Sequence, residues 1–163
     1  MSILRTIRAL AGTAAVVLLL ALSIPASAQT VTFPDPRLES AVRDALNQPS
    51  GDITVADMLT LTELNAGWRG IEDTRGLETA ANLVTLAFDG NRSTNASGVA
   101  GLGRLASLTW SGAGLRDTAF LAGLHALTNL ALNGNPITSF SGFPGLTNLV
   151  RLDMNNASAG NLS

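Results

Sequence analysis

The sequence contains no cysteine, no lysine and a single histidine, His125. Without cysteine the chain forms neither a disulfide nor a thiolate metal site, and one histidine cannot build a histidine cluster. The lack of lysine reads as a compositional bias rather than chemistry. Aromatic residues are 4% of the chain, so a core has to be assembled from many Leu, Val and Ala side chains. Basic charge is also scarce. Ten Lys plus Arg stand against twelve Asp plus Glu, for a formal net charge of -2, which excludes the basic footprint of nucleic-acid binding.

The first 28 residues are set apart from the rest. Arg5 and Arg8 supply a positive start, and the run from Ala9 to Leu22 is almost entirely Ala, Val and Leu. That run has the length of a signal-peptide hydrophobic region and falls short of the roughly 20 residues of a membrane span. Pro25 breaks it, and Ala26-Ser27-Ala28 places small residues where a signal peptidase cuts. The expectation is a signal peptide over 1–28 and a mature chain from Gln29, secreted or held in the periplasm or cell envelope. After cleavage no stable membrane span is left. An uncleaved anchor is the alternative. Removing Arg5 and Arg8 leaves 8 Arg against the same 12 acidic residues, a formal charge near -4.

Beyond this segment the sequence repeats every 22 residues. Leucine stands at 61, 83, 105, 127 and 149, and again three residues later at 64, 86, 108, 130 and 152. Two residues further on the column reads Ala66, Phe88, Trp110, Leu132 and Met154. Later columns read Ile71, Ser93, Leu115, Ile137, Ala159; then Leu77, Val99, Leu121, Phe143; then Ala80, Leu102, Leu124, Leu146. The apolar spacing of two between the fourth and sixth positions describes a short strand with one buried face. Twenty-two residues is the length of one coil that turns, crosses the far side and returns. A single coil cannot bury its leucines, so the coils must stack. The predicted fold is an α/β solenoid, a leucine-rich-repeat horseshoe with short parallel concave strands, whose coils span 61–82, 83–104, 105–126, 127–148 and, in part, 149–163. Trp110 falls in a core column and is expected to be packing.

The ninth position of each coil reads Arg69, Asn91, Ala113, Asn135 and Ala157. A buried Asn there bonds backbone groups left unpaired where the strand turns. With two of five positions kept, this ladder should be interrupted in the middle, with water or a local distortion at the gap.

Residues 29–60 are expected to form an α-helical N-terminal cap over the open end of the stack. In FPDPRLESAVRDAL, Asp35 can cap a helix that begins at Pro36, and Leu38, Val42 and Leu46 share one face. Thr54 and Asp57 have the spacing of a capping box that opens a second, shorter helix. Asp52 and Asp57 lack the acidic ladder and central glycine of a calcium loop. No metal and no cofactor is predicted.

FPDPRLESAVRDAL, ITVADMLTLTELNA and GIEDTRGLETAANLVTLAFDGN together resemble the helical cap and first coils of bacterial internalin-type proteins, and LTNLALNGNPITSFSGFPGLTNLVRLDM is the most specific repeat match. The resemblance implies a curved solenoid whose concave face binds another protein, often at a cell surface or on a host. The sequence departs from that pattern at NRSTNASG, where an apolar return is usual, and it stops at Ser163 within a fifth coil. The expectation is therefore a truncated or interrupted stack, in which Leu149, Leu152 and Met154 of an uncapped last coil fray or drive self-association.

The third, fifth and seventh positions should point outward from the strands, because the fourth and sixth point in. This gives a predicted partner-binding face of Glu63, Asn65, Thr85, Ala87, Asp89, Ser107, Thr109, Ser111, Asn129, Ala131, Asn133, Arg151, Asp153 and Asn155, with Trp68 at its edge. The face is small and polar, and Arg151 is its one typical interface anchor.

Catalysis is not expected. Asp89 and Asp153 lie three strands apart, roughly 14 Å at about 4.8 Å per strand, wider than the roughly 5–9.5 Å of glycosidase carboxyl pairs. Glu63 and Asp89 stand at opposite ends of neighbouring strands. His125 falls in a return segment, and no phosphate loop, zinc spacing or nucleotide fingerprint is present. The Asn-Xaa-Ser matches at 91, 95, 156 and 161 are read as incidental in an Asn- and Ser-rich chain. The reading is an exported module that binds a protein, or a glycan, through its concave face. The rivals are a structural spacer at the start of a longer envelope protein and a fragment without its own partner.

Overall fold

The computed structural model describes residues 28–155; the expected signal segment up to residue 27 and Ala157 and Ala159 of the last coil lie outside them. The chain opens with helix α1 (Pro36–Leu46) and helix α2 (Val55–Thr60). Five three-residue strands follow, β1 (Glu63–Asn65), β2 (Thr85–Ala87), β3 (Ser107–Thr109), β4 (Asn129–Ala131) and β5 (Arg151–Asp153). They form one parallel sheet in chain order. The register is the repeat itself, with Leu64, Leu86, Leu108, Leu130 and Leu152 aligned side by side. Return segments on the far side include single 3-10 turns at Leu77–Thr79, Ala119–Gly123 and Phe143–Gly145.

The leucine columns fill the interior. Leu61, Leu83, Leu105 and Leu127 are buried, as are Leu64, Leu86, Leu108 and Leu130 and the column Ala66, Phe88, Trp110 and Leu132. Trp110 packs at 4.6 Å from the Phe88 ring and 5.5 Å from Phe120, where edge-tilted aromatic contacts are favourable. Its indole N–H has no partner among the described residues. At the other end of the stack Leu152 is 43% exposed and Val150 85% exposed.

Helix α1 starts as its sequence requires. Asp35 Oδ1 accepts from the Arg37 N–H at 2.9 Å, Pro36 occupies the first turn, and Asn47 closes the helix in a left-handed conformation. Leu38, Ala41 and Val42 are buried. The second oxygen of Asp35 accepts the Glu72 N–H at 2.7 Å, so one carboxylate both caps the helix and fastens it to the first coil. In α2 the Thr54 hydroxyl accepts the Asp57 N–H, and the Asp57 carboxylate accepts the Thr54 N–H, giving a complete capping box. Residues before it pair with the same region through Val31 N–H to Ile53 O at 2.8 Å.

The asparagine column works differently from the expectation. Asn91 donates to Ala66 O and Phe88 O, and its Oδ1 accepts from the N–H groups of Arg69 and Ile71. Asn135 does the same for Trp110 O, Leu132 O, Ala113 N–H and Leu115 N–H. Each Asn thus serves the turn of the coil before its own. The coils that carry Arg69 and Ala113 are fully served, and the interruption falls on the second coil. There Ala113 offers no acceptor, and the N–H groups of Asn91 and Ser93 have no partner among the described residues.

The return side alternates as well. Thr74 and Thr118 donate to Asn95 O and Ser139 O of the next coil at 3.1 and 3.0 Å. Gly98 and Gly142 approach the carbonyls of Thr74 and Thr118 so closely that a Cβ would lie 2.0 and 1.9 Å from the oxygen. In the second coil Ser93 takes an apolar column and is buried, its hydroxyl satisfied by Asn95 O at 2.9 Å. That is how NRSTNASG is accommodated without an apolar return.

Replacing Ala113 with Asn should supply the missing acceptor and raise stability by about 1 kcal/mol, read as a higher urea midpoint; an unchanged or lower midpoint would show that those two N–H groups are not short of a partner. Burial pushes the Asp35 carboxyl up, but backbone N–H bonds from Glu72, Arg37 and Asp73 and the nearby Arg37 charge outweigh this and hold it below its ordinary value. A depressed folded pKa gives stability that is present above the unfolded value of about 3.9 and lost as pH falls through the folded one. Acid unfolding below about pH 4 should therefore flatten in Asp35→Asn, which keeps the cap and removes the titration while losing the bond to the Glu72 N–H at every pH.

Candidate functional site

The strand geometry lines up the outward side chains in rows. Glu63, Thr85, Ser107, Asn129 and Arg151 form one row, and Asn65, Ala87, Thr109, Ala131 and Asp153 the next. Glu63, Asn65, Asn129, Arg151 and Asn155 are exposed; Thr85, Ala87, Asp89, Ser107, Thr109, Ser111, Ala131, Asn133 and Asp153 are half-buried. All of the predicted face residues thus keep contact with solvent on one sheet.

Several are already committed to neighbours. Asp89 accepts from Thr109 Oγ1 and from the Ser111 N–H at 2.7 Å, and Asn133 accepts the Asn155 N–H at 2.7 Å. These two side chains repeat the same inter-coil bond two coils apart, and their first role is to hold the ends of the strands. Arg151 pairs with Asp153 at 3.0 Å, the arginine largely in solvent and the carboxylate half-buried, an arrangement worth little by itself. The row from Glu63 to Asn129 is less engaged. Among its members only Asn129 makes a side-chain bond, to Thr128.

Trp68, expected at the edge of this face, stands apart from its other residues. It is 82% exposed, the most open aromatic in the described chain. Its φ is +60°, and it occupies the column filled by Gly90, Gly112 and Gly134 at φ +68°, +67° and +65° in the next three coils. A side chain held in that region costs on the order of 1–2 kcal/mol. The ring stands over Gly90, where a Cβ would come within 2.3 Å of Cε3. The Trp68 N–H donates to Asp89 O at 2.8 Å, which fixes it at the end of β1. The signal in the sequence was a tryptophan in a glycine column.

Next to Trp68 in sequence, Arg69 lines a groove of about 370 Å³ together with Pro36, Arg37 and Ser40 of the first helix. Arg69 reaches Asp44 at 2.8 Å. Arg37 makes no ion pair among the described residues, and neither does Arg92, whose N–H donates to Ile71 O beside the same turn.

His125 lies exposed on a return segment, with Nδ1 2.9 Å from Gly145 O of the next coil. Among the described residues no group of three or more His, Asp and Glu side chains could hold a metal, and no helix is long and apolar enough to cross a membrane.

No family model matches the chain, and no curated protein matches it at a significant level. Solved structures do. An internalin of Listeria monocytogenes, InlF, superposes with a TM-score of 0.70 at 28% identity, over 80% of this chain and 38% of that one. Internalin C2 of the same organism gives 0.55 at 28% identity, over 83% of this chain and 77% of that one. The chain therefore spans well under half the length of the first. With a five-stranded parallel sheet in a 22-residue register and structural neighbours of this kind, the chain is an internalin-like leucine-rich-repeat protein.

Proposed function

We propose that the chain is an exported, non-catalytic binding module that meets a protein partner across the outward rows of its five strands. Residues 1–28 would direct export, residues 29–60 would close the N-terminal end, and the partner would lie across the row from Glu63 to Arg151. The observation that supports this reading best is the row itself. Glu63, Thr85, Ser107 and Asn129 present four adjacent side chains in register, three of them with no side-chain bond among the described residues. The likeness to internalin structures points the same way. A glycan is the second reading, favoured by one feature: Thr85, Ser107, Thr109 and Asn129 are small hydroxyl and amide groups suited to sugar hydroxyls.

A photo-activatable benzophenone residue at Ser107 or Asn129 should cross-link the partner on intact cells, while the same group at Ala122, exposed on a return segment, should not. Cross-links from position 122 and none from 107 or 129 would move the binding face off the strands. A cross-linked product that a glycosidase removes and a protease leaves intact would favour the glycan.

A further inference from the structure

We infer that Trp68 anchors the partner, and that the partner presents an apolar side chain beside a carboxylate, the first seated on the indole and the second in the groove that Arg37 and Arg69 line. The inference rests on the reading of the chain as a protein-binding module, and it moves the centre of binding from the middle of the sheet to its first coil.

Three observations carry it. Trp68 is 82% exposed, although nothing in the packing requires an aromatic there, since the next three coils fill the column with glycine. The side chain is held in a left-handed backbone that favours glycine, and such strain concentrates where a residue is kept for function. Gly90 lies directly under the ring, so the indole is supported on one side by the backbone and open on the other. An aromatic pre-placed in this way loses little freedom on binding.

The charge on the residue that follows it, Arg69, and on the first helix selects the partner. Arg37 lines the groove, its charge acting on the nearby Asp35 without an ion pair among the described residues; Arg69 spends part of its charge on Asp44, and Arg92, whose backbone joins the adjoining turn, makes no ion pair among the described residues either. Asp35, the nearest buried carboxylate, is occupied by the N–H groups of Arg37 and Glu72 and is turned away from solvent. Trp and Arg are the side chains that dominate protein interfaces, and a groove lined by two guanidinium groups suits a carboxylate. The middle of the sheet offers neither group.

The test selects phage-displayed random dodecapeptides on the full chain and measures synthetic copies of the enriched ones by fluorescence anisotropy. Enriched peptides should carry Asp or Glu beside Leu, Met or Phe. Their affinity should fall at least about tenfold in Trp68→Gly and in Arg37→Glu, and stay unchanged in Ala122→Arg, which alters an exposed return segment away from the strands. Trp68→Gly should melt no lower than the parent, because glycine is the residue its φ favours, so the loss of binding cannot be assigned to unfolding. Acidic peptides that bind Trp68→Gly as well as the parent overturn the anchor, and if the same peptides are lost in Asn129→Arg the concave-face reading survives without it. A failure to enrich acidic peptides overturns the inference, as does Trp68-dependent binding of polygalacturonate in their place, which would make the partner an anionic glycan.

Discussion

A side-chain amide that reaches back across one coil joins the stack at its tightest point. After each strand the chain leaves the sheet through a turn whose N–H and C=O groups face the interior, out of reach of water. Leaving a buried donor or acceptor unpaired costs on the order of 1–3 kcal/mol, so a turn that something inside meets is the more stable one. Asn91 and Asn135 each meet four such groups, two donors and two acceptors, contributed by their own coil and the one before. The leucine columns can close around the turn only after that.

Because each Asn serves the preceding coil, the coils do not act alone. Asn91 and Asn135, Thr74 and Thr118, and Gly98 and Gly142 recur at twice the 22-residue period, and in each pair one coil supplies what its neighbour lacks. Coils with Asn complete the turns of coils without it, and coils with Thr bond the return segments of coils that follow. Asp89 and Asn133 repeat this on the concave side, tying strand ends to the next coil. The outward rows are held in place by these bonds, which fixes a surface of small polar side chains without aromatic packing of its own.

Much of this was legible in the residues. Ten leucines at fixed spacing can only mean stacked coils, since burial of the same side chain must recur once per coil, and Asp35-Pro36 and Thr54-Asp57 announce helix starts by their own chemistry. The direction of the asparagine bonds was not legible. A column shows that Asn91 and Asn135 are alike and that the ladder breaks between them, but not that their amides reach residues 20 to 25 positions earlier, which is what puts the unserved turn in the second coil. Ser93 looked like a lapse in an apolar column because its partner, the Asn95 carbonyl, is a backbone atom with no sequence signature. The exposure of Trp68 was not legible because it follows from backbone conformation, and only comparison with Gly90, Gly112 and Gly134 shows how unusual it is.

The position of Trp68 follows from the same constraint. The turn after β1 is completed from the second coil by Asn91, so the chain from Trp68 to Ile71 is held rigidly even though its outer side is open to solvent. The most direct measurement is amide hydrogen exchange in Asn135→Ala. If inter-coil amides hold the turns, the N–H groups of Ala113 and Leu115 lose protection while Leu86 in β2 and the turn served by Asn91 keep theirs. Unchanged protection at Ala113 and Leu115 would contradict the account, because the turn would then be held by the leucine columns alone.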